Sequence, residues 1–156
     1  MNNPISLFFL ASFLVVSLVS CTSNKVPGNF WEIPDEQLPY IAMIRDDPRF
    51  GTAVIYNPLL CKEIGDACAF FRIHADAHIQ LNHNILATPE DYPPSQEAAA
   101  DCYAARNVHP HEVQATVALL SNEKRSAELP ITGNPAERAE RIQNCAIKAG
   151  NWIAGR

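Results

Sequence analysis

Basic residues are scarce in this sequence. Lys and Arg number 12 against 17 Asp and Glu, which leaves a formal net charge of −5 over 156 residues. Binding to nucleic-acid phosphates needs a basic surface, so this balance argues against nucleic acid as a partner. Charge is thin overall, at 19% of residues, with no block of one sign and no internal repeat. The cysteines lack the paired Cys-x-x-Cys spacing, which argues against a zinc–thiolate site. The length suits one compact domain rather than two.

The opening "MNNP" also lacks Lys and Arg, so only the α-amino group supplies positive charge before the apolar run "ISLFFLASFLVVSLVS", Ile5 to Ser20. Sixteen residues at about 1.5 Å each fall short of a roughly 30 Å hydrocarbon core and suit a secretory signal. The run ends in "LVSC", residues 18 to 21, which resembles the lipobox of bacterial lipoproteins. The resemblance implies cleavage before Cys21, acylation of that cysteine (palmitate-type chains) and a lipid anchor in the membrane. A plain cleaved signal is the alternative. Residues 1–20 are then a signal peptide, 21–30 a lipidated N-terminus and polar tether, and 31–156 a single domain. Thr22 is not the aspartate associated with inner-membrane retention in such lipoproteins, so the expected place is the outer membrane, facing the periplasm.

Without Cys21, four cysteines remain: Cys61, Cys68, Cys102 and Cys145. An even number in an oxidising compartment suggests two disulfides in one of three pairings. Cys61–Cys68 with Cys102–Cys145 is favoured. On one straight helix Cys61 and Cys68 would stand about 10 Å apart, too far to bridge, and "IGD" at 64 to 66 offers the break their pairing needs.

"YIAMIRDDPRFGTAVIYN", from Tyr40, reads as two strands around a turn. Pro58 suits a first helical position. Asp66 is the expected N-cap of a helix running to about Asn82, with Ala67, Phe70, Phe71, Ala77 and Leu81 on its apolar stripe. "TPEDYPPS" breaks the chain, and Ser95 is expected to cap a helix over residues 96–106. "HPHEVQATVALL" is a further helix. In the last, Asn134 caps, Pro135 opens the first turn, Glu137 takes the capping-box position, and Ile142, Cys145, Ala146 and Ala149 face inward until Gly150. The expected class is α+β: a small β-hairpin or sheet followed by about four helices. Trp31 and Trp152 are expected to be packing anchors near the termini.

The informative stretch is "HADAHIQLNH", from His74. His74 and His78 project only about 40° apart on a helix, one turn above the other, where neutral imidazoles can share one zinc ion. Nineteen residues on, "EAAAD" places Glu97 and Asp101 on one helical face, with Ala98, Ala99 and Ala100 letting two helices approach closely. "HADAH" followed by "EAAAD" resembles the gluzincin (thermolysin-like) metallopeptidases, whose pattern is H-E-x-x-H and then a glutamate ligand with an aspartate one turn later. "TGNPAERAERI" resembles a "HP…R-I" helix start of some membrane-associated gluzincins, with Asn134 in place of His. Across residues 40 to 148 the resemblance implies a zincin-like core, one Zn²⁺ ion on His74, His78 and Glu97, and Asp101 behind a ligating histidine.

The glutamate that follows the first histidine is missing, and Ala75 stands there. Such a glutamate moves a proton from metal-bound water to the leaving amine, a role alanine lacks. Asp76 is a weak substitute: it lies at about 200° round the helix, against about 20° for the midpoint of the two histidines, and suits a solvated surface carboxylate. His83 is near the back face and supplies no third helical ligand. His109 and His111 suit an exposed helix start, with an oxyanion or base role as the rival reading. The expectation is an anchored, gluzincin-like metal-binding protein, impaired or inactive as a peptidase, able to take a peptide or protein along a strand edge. An active hydrolase with another base and a metal-free scaffold are the alternatives.

Overall fold

The computed structural model describes residues 30–154. The signal and the Cys21 lipidation expected above lie outside the described residues. Three strands come first: β1 (Trp31–Pro34), β2 (Ala42–Asp47) and β3 (Gly51–Tyr56). Helices α1 (Pro58–Ile64), α2 (Ala67–Gln80), α3 (Pro94–Asn107), α4 (Pro110–Ser121), α5 (Glu123–Ala127) and α6 (Pro135–Lys148) follow, with a 3₁₀ turn at Pro89–Asp91 before α3. The α+β class holds, with six helices among the described residues where about four were expected. The five-residue α5 accounts for part of the excess.

The sheet order is β1-β3-β2. The expected hairpin is β2–β3, paired antiparallel from Ala42↔Tyr56 to Asp47↔Gly51. Its turn is fastened by Asp47 Oδ1, which accepts the Arg49 N–H at 2.8 Å, and by Gly51 at φ 73°, a conformation that suits glycine. β1 was not anticipated. It runs parallel to β3, with Trp31 beside Ala53. A parallel partner 22 residues away, from Trp31 to Ala53, leaves no local turn signal, and the strand ends on Pro34, which an edge tolerates because it need not donate to the ladder. β3 is central, and its Ala53, Val54 and Ile55 are fully buried.

Asn57 links sheet to helices. Its Oδ1 accepts the Leu59 and Leu60 N–H groups, which caps α1 ahead of Pro58, and its Nδ2 donates to Leu38 O at 2.8 Å. Gly65, at φ 59°, breaks α1 from α2 and lets Cys61 and Cys68 bridge across the turn, their Cα atoms 4.9 Å apart. Asp66 does not cap α2 with its side chain; the backbone closes that start itself, through Cys68 N–H to Gly65 O. Nor does Ser95 cap α3. Pro94 takes the first helical position, where no N–H is needed, and Pro93 O accepts from Gln96 and Glu97. Asn134 caps α6 as expected.

α2 is the buried spine, packed between the sheet and α3 and α4. Phe70, Val113, Leu120 and Ile142 fill the core. The second disulfide, Cys102–Cys145, fastens α3 to α6. Three inward assignments need correction. Ala149 is exposed because it lies past the end of α6. Leu81 lies past the end of α2 and is also exposed. Trp31 is 58% exposed and lies against Phe50 at the sheet edge, ring centroids 4.9 Å apart. Trp152 does pack on the core.

Candidate metal site

Residues four apart on α2 and four apart on α3 meet where the two helices face each other. Ala100, Ala104 and Ala105 are fully buried and permit the approach; Ala99, expected among the spacers, faces solvent. Glu97 reaches both imidazoles. Its Oε2 lies 3.3 Å from His74 Nε2 and its Oε1 3.2 Å from His78 Nε2. His74, His78 and Glu97 each offer one ligand atom, all within 4.8 Å of one another.

These spacings can be tested against a metal. Tetrahedral ligands at the 2.0–2.1 Å typical of zinc stand about 3.3 Å from one another; each imidazole has that separation from a different oxygen of the carboxylate, and one ligand atom from each of the three residues lies within 4.8 Å of the others. Glu97 Oε1 is moreover buried with no aligned hydrogen-bond donor, although burying such an atom unpaired is unfavourable. The donor set fits a divalent cation that accepts nitrogen and oxygen ligands, and it does not single out zinc.

Asp101 stands behind His74, its Oδ1 3.0 Å from His74 Nδ1, though off the line along which the ring N–H points. Asp101 is fully buried and held by two arginines from α6. Arg138 donates to both its oxygens, and Arg141 donates to Oδ2 at 2.8 Å. Arg138 was not singled out in the sequence, and Arg141 entered only as the R of the "R-I" in "TGNPAERAERI", with no role; the available signal was their spacing of three beside the buried Ile142. Arg138 also donates to Thr132 O.

The electrostatics follow from these contacts. Burial pushes the Asp101 carboxyl up, but Arg138 and His74 outweigh it and hold the group well below the usual range. Glu97 is likewise lowered, its burial outweighed by the two imidazoles. For His74, burial opposes the charged ring, yet Asp101 and Glu97 leave its pKa raised. For His78, burial prevails over the Glu97 contact and the pKa falls. In the metal-free protein a proton therefore prefers His74 to His78.

Two further residues complete the surroundings of His78. Tyr92 lays its ring 3.8 Å from the imidazole centroid and accepts the Leu86 N–H on its hydroxyl. His83 Nδ1 lies 3.1 Å from His78 Nδ1. The back-face placement of His83 assumed a helix running to about residue 82. Instead α2 ends at Gln80, and Asn82 adopts φ 55°. Asn82 N–H then bonds to Ile79 O and His83 N–H to His78 O. This paired C-terminal closure reverses the chain and folds His83 back onto His78.

Asp76 is not at the site. It does lie away from the histidines, but it is fully buried rather than solvated. Its Oδ1 accepts from Gln80 Nε2 at 3.0 Å, while Oδ2 has no partner. Burial, with help from Glu32, pushes its pKa up to about 6. His109 and His111 are exposed at the start of α4, apart from the metal-ligand group. Ala75 is buried in an apolar cluster with Ile44, Val54 and Tyr92. It lines a cavity of about 20 Å³ that also touches His74, His78 and Glu97, room for about one water molecule.

Comparison of the chain with family models, with curated proteins and with solved structures gives no match. The gluzincin resemblance therefore rests on the sequence motifs that carry it.

Proposed function

We propose that this chain is a gluzincin-like metal-binding protein, lipid-anchored through Cys21 at the outer membrane and facing the periplasm, impaired or inactive as a peptidase. The observation that carries the reading is that His74, His78 and Glu97 each bring one possible ligand atom within 4.8 Å of the others. Zn²⁺ is the ion the resemblance favours.

A cation bound there supplies Lewis acidity and lowers the pKa of its water. The chain's own residues do the rest. His74, His78 and Glu97 hold the ion, and Asp101, fixed by Arg138 and Arg141, orients His74. Ala75 accepts no proton, and Asp76 points elsewhere. Loss of a general base typically costs 10²–10⁴-fold in rate. The apolar packing around Ala75 supports the same conclusion, since the adjoining cavity of about 20 Å³ holds about one water molecule and not a glutamate side chain. β2 is an edge strand beside the site, which suits an extended peptide partner.

A second reading draws on the same contacts. Imidazole–carboxylate distances of 3.2 and 3.3 Å also suit hydrogen bonds in a metal-free scaffold. The two readings part on metal content. Untagged protein spanning residues 22–156 is expected to carry one metal ion per chain, which is lost in His78→Ala. Wild-type protein that stays metal-free after exposure to zinc would leave the scaffold.

A further inference from the structure

The two imidazoles of the site are backed differently. His74 Nδ1 faces a carboxylate, Asp101. His78 Nδ1 faces another imidazole nitrogen, His83 Nδ1, at 3.1 Å. Two ring nitrogens at that distance bond only if one carries a hydrogen and the other a lone pair. His78 Nε2 lies 3.2 Å from Glu97 Oε1. For Nε2 to present a lone pair to a metal, the hydrogen of neutral His78 must sit on Nδ1, and the acceptor placed for it is His83 Nδ1.

We infer that His83 is a positioning residue for the metal site: its Nδ1 accepts the Nδ1–H of His78 and so holds His78 in the tautomer whose Nε2 is free to ligate. The inference rests on the metal-site reading for its purpose, and the tautomer it assigns is the opposite of the one a metal-free scaffold needs for a hydrogen bond from His78 Nε2 to Glu97. Three features support it. The Asn82 turn fixes where His83 stands. The Tyr92 ring, against His78, limits reorientation of that imidazole. His78 is buried, so water is not on hand to replace the lost acceptor. A neutral acceptor also adds no negative charge beside Glu97, whereas the charge of Asp101 is matched by Arg138 and Arg141. Without His83 that acceptor is gone: the hydrogen moves to Nε2, on the side of Glu97 Oε1, and the lone pair meant for the ion is lost.

The test uses residues 22–156 as wild type, His83→Ala and His83→Asn, the last because an asparagine oxygen falls near the position of the imidazole Nδ1. Long-range ¹H–¹⁵N spectra of the metal-free proteins at about pH 8, above the ordinary histidine range, read the His78 tautomer directly. The expected result is Nδ1–H in wild type and His83→Asn and Nε2–H in His83→Ala. Zinc affinity, measured by chelator competition, is expected to fall about 10–100-fold in His83→Ala, the usual effect of losing such a partner, and to recover in His83→Asn. Metal-free melting temperatures should agree closely, since His83 is only half-buried. An Nδ1–H tautomer that persists in His83→Ala overturns the inference. Failure of every variant, wild type included, to bind zinc would instead remove the metal-site reading, and the spectra would still decide the role of His83.

Discussion

Arg138 donates from Nη2 to Oδ1 of Asp101 at 2.6 Å and from Nε to Oδ2 at 3.1 Å, and both side chains are buried. The pair joins α6 to α3, and through His74 it reaches α2. An ion pair removed from water in this way is costly to break from one side, because the remaining charge stays buried. Arg138→Ala is therefore expected to lower unfolding free energy by about 3–5 kcal/mol, read from urea denaturation. Arg141, whose side chain is 30% exposed, should cost clearly less when replaced. Equal losses would show that burial does not govern the cluster.

Asp76 offers a prediction in pH. Its folded pKa is pushed from 3.8 up to about 6, so the folded state holds the proton more tightly than the unfolded chain. The penalty is fully present above pH 6 and is relieved as pH falls from there toward 4. At about 1.4 kcal/mol per unit, its size is about 3 kcal/mol. Asp76→Asn should be more stable than wild type at pH 7.5, with the difference shrinking by pH 4.5. Glu97 and Asp101 have lowered pKa values and lose stability on acidification, but both proteins share them, so they cancel in the comparison. A difference that does not change with pH would refute the raised pKa.

Restoring the missing glutamate should not restore a peptidase. Ala75 packs against Ile44, Val54 and Tyr92, and the adjoining cavity of about 20 Å³ cannot take the methylene and carboxylate that glutamate adds to alanine. Ala75→Glu is expected to lose about 1–3 kcal/mol through overpacking alone, with no peptide hydrolysis. A variant that melts like wild type and cleaves casein would show that the site opens.

The two disulfides should differ in weight. Cys102 and Cys145 close a span of 43 residues, Cys61 and Cys68 one of 7. In the chain-entropy view these contribute about 4 and about 2.4 kcal/mol. Paired serine substitutions, followed by guanidinium unfolding, are expected to rank in that order. The reverse order would place the constraint in the α1–α2 corner rather than between α3 and α6.

Periodicity within single elements was legible. His74 and His78, and Glu97 and Asp101, share helix faces because residues four apart on a helix must do so. The helix break at Gly65 with the Cys61–Cys68 bridge across it, the caps at Asn134 and Pro135 and the β2–β3 hairpin rest on comparably local chemistry, whereas Cys102–Cys145, 43 residues apart, followed as the remaining pair. The reading failed where a segment answered to a distant partner or to the manner in which a helix ended. β1 was missed because its pairing to β3 is parallel and remote. His83 was misplaced because one residue, Asn82, left the helical conformation and turned the chain back.

The sequence by itself determined the types of the candidate ligands, their order and the absence of a proton acceptor at position 75, because these depend on identity and helical spacing. Only the tertiary structure decided that Asp101 is shared by two arginines from α6, that Asp76 is buried, and that an imidazole from beyond the helix meets His78. Those facts depend on which surfaces exclude water together, and helical periodicity says which face a residue occupies but not what covers it.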